Sequence, residues 1–184
     1  MRGFSWKAFV KRRFASREAI LYTFVAAVFV IHVWAIYNVL RVVPAWMVRM
    51  SSWELVGTVA YTQVFALLES LIIAGLLVLA AAVLPGNLYR DKFLAVSVVV
   101  LFVFSVWAIL AHYNDDVIQS GGLKLLIPVA VVFLATLLAP YVLVQRSQKF
   151  EGMISAIVQR VSVLSFIYLF IDLFSVLVIV ARNI

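Results

Sequence analysis

Three titratable side chains stand inside long apolar runs: His32 in "VFVIHVWAIYN", Glu69 in "ALLESLIIAG" and Asp172 in "SFIYLFIDLFSVLVIV". No basic residue lies beside Asp172. An imidazole and two carboxylates form a donor set that can hold a proton, a small cation or a polar ligand. Each charged carboxylate in such a run costs about 2.5–3.5 kcal/mol on membrane-insertion scales, so paired, protonated or water-contacting states are expected. The simpler alternative is that each group hydrogen-bonds a neighbouring helix, in this chain or in a partner.

Asp172 belongs to a wider pattern. Ser155, Gln159, Ser162, Ser165, Tyr168, Asp172 and Ser175 recur at steps of three or four among Val, Leu, Ile and Phe. Such steps return to the same side of a helix, so the spacing predicts one polar stripe turned toward protein. Small hydroxyls favour close helix packing where no hydrophobic force drives association. Ser155, Gln159, Ser162, Ser165 and Ser175 are therefore the candidate helix-association residues. Asp172, Glu69, His32, Tyr168 and Ser165 are the candidates for binding a ligand, a proton or an ion.

The elements that must position these groups follow from composition. Of the 184 residues, 66% are hydrophobic and only 12% charged, too little polar surface to cover a soluble core. Apolar runs of transmembrane length recur along the chain. The expected fold is all-α, an integral membrane bundle of five helices over about residues 19–43, 54–84, 93–113, 123–144 and 153–181. Residues 19–184 form one transmembrane domain. Residues 1–18 precede it as a basic interfacial segment with six Lys or Arg interleaved with aromatics. The first run is too long for a cleaved signal peptide and reads as a signal anchor. Ser51 or Ser52 can cap the second span with Glu54 in its first turn.

Counting Lys and Arg in the loops sets the orientation. With the N-terminus cytoplasmic, ten basic residues face inward and four outward, which leaves the C-terminus outside a cell membrane. Asp172 then lies roughly 27 Å along the fifth span from its inner end, slightly beyond the midplane. Orientation also accounts for the net charge of +7, so no nucleic-acid partner is inferred. The expected partners are the bilayer and another membrane protein or a second copy.

Several chemistries are missing. Without cysteine there is no thiolate metal site or thiol nucleophile. There is no HExxH, no Gly-rich phosphate loop and no extramembrane catalytic domain. His112 precedes Asp115 and Asp116 in "HYNDD", a spacing that reads more simply as a solvated helix end than as a metal site. No metal, cofactor or catalytic residue is expected. The functional expectation is a non-catalytic subunit or assembly partner of a larger membrane complex, with its buried polar groups joining helices. The alternative is a homo-oligomeric, proton- or cation-linked transport protein using the midplane carboxylates.

Overall fold

The computed structural model describes residues 15–85 and 89–184, apart from the Leu123 side chain. The basic segment expected over residues 1–18 thus lies largely outside the described residues. Among these there are five α-helices and one 3-10 turn: α1 (Arg17–Arg49), α2 (Ser52–Val83), the turn Arg90–Lys92, α3 (Phe93–Tyr113), α4 (Asp115–Arg146) and α5 (Gln148–Asn183). All five helices are long and apolar enough to cross a membrane, the architecture of a multi-pass membrane protein. Their outward positions carry Phe65, Ile72, Phe102, Ile127, Phe166 and Phe170, an apolar coat suited to hydrocarbon rather than water.

Helices α1, α2 and α5 pack closely on one another and form the centre; α3 adds to α1, and α4 adds to α3. The inner face of α2 shows why three helices can approach. Its buried positions include Gly57, Ala60, Ala66, Ser70, Ala74 and Ala81, a line of small residues at helical spacing. Helices α1 and α5 run parallel in a constant register. Ser165 Oγ donates to the Val25 carbonyl at 2.9 Å, and His32 meets Asp172, each across 140 residues. Val25 lies opposite Ser165 and His32 opposite Asp172, so the two contacts are one seven-residue interval apart on both helices. A seven-residue repeat is the spacing that keeps two gently supercoiled helices in contact.

Both ends of the bundle are tied. At one end Ser51 and Glu54 form a capping box, with Ser51 N–H donating to Glu54 Oε2 at 2.8 Å. Arg182 there lies across α2 and donates to the Trp53 carbonyl at 3.0 Å. Gly57 makes room for it: a Cβ at that position would overlap the Arg182 guanidinium. At the opposite end the Lys92 ammonium donates to the Val144 carbonyl at 2.7 Å and pairs with Glu151 at 3.0 Å. One cation thus satisfies an orphan carbonyl at the end of α4 and joins the first turn of α5.

Three boundaries depart from expectation. The first span continues through Pro44 to Arg49 instead of ending at Val43, and Met50 N–H closes it on the Trp46 carbonyl at 2.8 Å. A membrane helix tolerates the one bond that proline removes because every neighbouring backbone group still needs an internal partner. Residues 115–121, expected as loop, are helical. Asp115 and Asp116 occupy the first turn, and Gln119 donates to Asp115 Oδ2 at 2.8 Å one turn away. Gly122, at φ 55°, supplies the bend before the apolar part of α4. The last span begins at Gln148 rather than near Met153, with Ser147 Oγ accepting from Phe150 N–H at 3.3 Å.

Candidate functional site

Along α1, Ile31 and Trp34 turn toward α2 and α3 while His32 turns toward α5, as the 100° step per residue requires. His32 is fully buried and Asp172 is 1% exposed. His32 Nε2 stands 3.0 Å from Asp172 Oδ1, and Nδ1 stands 2.8 Å from the Val28 carbonyl. The Tyr168 ring, about one turn before Asp172, stacks on the imidazole with centroids 5.5 Å apart and planes 8° from parallel. Phe29 lies 6.4 Å beyond on the same tyrosine. Ser165, two turns below Asp172, anchors the same seam through Val25.

This geometry fixes a proton count. A carbonyl oxygen only accepts, so His32 Nδ1 must carry a hydrogen and donate it to Val28. Nε2 and Oδ1 then need one further proton between them. The pair is either imidazole facing a protonated carboxyl or imidazolium facing carboxylate, and it is neutral as a unit in both. Among the described residues, neither the buried Asp172 Oδ2 nor Gln63 Oε1 on α2 has a hydrogen-bond partner. A second proton acceptor position is therefore present on a group that already shares one proton.

Glu69 goes elsewhere. Its neighbour Ser70 is fully buried and donates back to the Ala66 carbonyl at 2.7 Å, whereas Glu69 is exposed on the next face of α2. There it lines a crevice of about 670 Å³ floored by α1 and walled by α2 and α3. Trp34, Ser105 and His112 also line it, and the His112 ring packs edge-on against Trp34 at 5.6 Å. Ile31 and Trp34 flank His32 in sequence, so the crevice and the buried pair lie at the same level of α1. Of the three groups at similar depth, His32 and Asp172 meet as a pair and Glu69 stands on a different flank. Arg160, about three turns before Asp172 on α5, is exposed.

The polar stripe is buried at some positions and open at others. Ser165, Asp172 and Ser175 are buried, Ser155, Ser162 and Tyr168 are half-buried, and Gln159 is exposed. Ser155 and Ser162 donate to carbonyls of their own helix, Glu151 at 3.1 Å and Gln159 at 2.6 Å. The reason is rotational. Steps averaging under 3.6 residues carry a stripe from 155 to 175 roughly 160° around the helix. The buried line instead follows the seven-residue repeat Val158, Ser165, Asp172, which keeps pace with α1. The same interval separates Val25 from His32 on α1, which keeps Val25–Ser165 and His32–Asp172 on one seam.

Other groups fall outside the pair. His112 ends α3 before Asn114 interrupts the helix. Among the described residues, no three His, Cys, Asp or Glu side chains converge as a metal site would require. Comparison with protein-family models, with curated proteins and with solved structures finds no match to the chain.

Proposed function

We propose that the protein is a non-catalytic component of a larger membrane assembly. In this reading it sits in the cell membrane with its N-terminus cytoplasmic and its C-terminus outside, and binds another membrane protein or a second copy of itself. One observation carries the reading. Two polar groups of α5 are used as helix-to-helix connections, His32–Asp172 and Ser165–Val25, at buried positions of the three-helix core. Polar groups used this way hold a scaffold in one arrangement. The surface offered to a partner is α4, because only 6% of its apolar window is buried within the chain. Native mass spectrometry after extraction from the source cells in mild detergent tests the assignment. A reproducible partner chain or a defined homo-oligomer is expected, and a monomer at every concentration would overturn it.

A second reading has its own support. The His32–Asp172 pair shares one proton and leaves Asp172 Oδ2 without a partner, so a proton-linked transport protein could load that position. Proton flux in proteoliposomes separates the two. Flux lost in an Asp172→Asn variant that remains folded supports transport; unchanged flux removes it.

A further inference from the structure

We infer that the crevice beside α1 is a binding site for a lipophilic organic cation, an ammonium group carrying hydrocarbon. The site lies apart from the His32–Asp172 pair and goes beyond the assembly reading. Three features of its wall select such a molecule. Glu69 presents an exposed carboxylate that makes no hydrogen bond or ion pair to any other described residue. A carboxylate held among apolar side chains gains most from a cation that brings no large hydration shell of its own. Trp34 lines the same space, and indole is the aromatic ring most attractive to a cation.

The rest of the lining sets the body of the ligand. Leu76, Leu77, Val100 and Phe104 offer hydrocarbon, and no lysine or arginine lines the crevice to welcome an anion. The volume of about 670 Å³ falls within the range of sites for small organic ligands. Another crevice, about 770 Å³ between α3, α4 and α5, is lined by apolar residues and Thr136 without any ionisable side chain. It has the space and lacks the charge, so it marks what Glu69 adds.

The test uses tetraphenylphosphonium and its anionic counterpart of the same shape, tetraphenylborate. Equilibrium dialysis is run on the full chain in nanodiscs of neutral lipid, with protein-free discs as background. Saturable binding of one phosphonium per chain is expected, with tetraphenylborate failing to compete. Glu69→Gln is expected to weaken binding about tenfold or more. Ala108→Trp, which fills the crevice but keeps the carboxylate, should weaken binding to a similar degree. Circular dichroism and elution volume establish that each variant is folded. Absence of saturable binding to wild type overturns the inference. So does unaltered binding by folded Glu69→Gln, by folded Ala108→Trp, or equal competition by the borate.

Discussion

Asp172 and Glu69 are both carboxylates within apolar helices at a similar level of the bundle, yet their surroundings are opposite. Asp172 is sealed between α1 and α5, held by an imidazole that is itself held by a backbone carbonyl. Glu69 lies on an open wall with no bond to another described residue. The difference is one of helix face, since Ser70, a single residue from Glu69, takes the buried position on α2. An intramembrane acid thus acts as a connector or as a contact for an outside molecule according to which neighbour its helix presents it to.

The sharpest way to break this contrast is to remove one half of the sealed pair. Asp172→Ala strands His32 Nε2 in a fully buried position and should destabilise the bundle by about 3 kcal/mol. The double replacement His32→Leu with Asp172→Leu should recover most of that loss, because no unpaired group remains. Reversible unfolding in mixed micelles, followed by circular dichroism, measures both. A single variant as stable as wild type would show that the pair holds nothing together.

A smaller effect is expected at the tied end of α2. Gly57→Leu displaces Arg182 from the Trp53 carbonyl and should cost about 1 kcal/mol. Thermal unfolding of this variant beside Arg182→Ala decides the mechanism: if the arginine contact is what Gly57 protects, the two losses should not add. Ser165→Ala removes one hydrogen bond across the α1–α5 seam and should cost about 0.6 kcal/mol, the usual worth of such a bond in a membrane. A loss several times larger would mean that the seam fails as a unit. The smallest effect belongs to the open region. Glu69→Gln should change stability by no more than about 0.5 kcal/mol, and a loss comparable to that of Asp172→Ala would erase the distinction between the two carboxylates.

Much of the architecture was legible because membrane helices are written in long apolar runs. The third span, residues 93–113, matches α3 at both ends, and the Ser51–Glu54 cap was readable from residue type and spacing. Helix ends marked by polar or proline residues were harder to read. Pro44 and the "NDDVIQSGG" stretch look like breaks, yet the first is absorbed and the second forms a helical turn from its own acids and glutamine. At the site, sequence identified His32, Glu69 and Asp172 as groups of similar depth. It did not separate them by face, because depth depends on distance along one helix while facing depends on the rotation of several. The shared seven-residue step, from Val25 to His32 and from Ser165 to Asp172, is what keeps both contacts on one seam. A stripe traced by polarity alone drifts off it.

The constant offset of 140 residues between α1 and α5 also sets an order in time. At roughly 5–20 residues per second, about 7–28 s of synthesis separate His32 from its partner. During that interval α1 already lies among apolar neighbours with its imidazole unmatched. α2 and α3 must therefore be accommodated around a helix whose final contact has yet to be made. A chain arrested before α5 holds a polar side chain that nothing in the chain has yet covered. The seam that completes the bundle thus also separates the finished molecule from its nascent forms, through a single side chain that a quality-control factor could recognise.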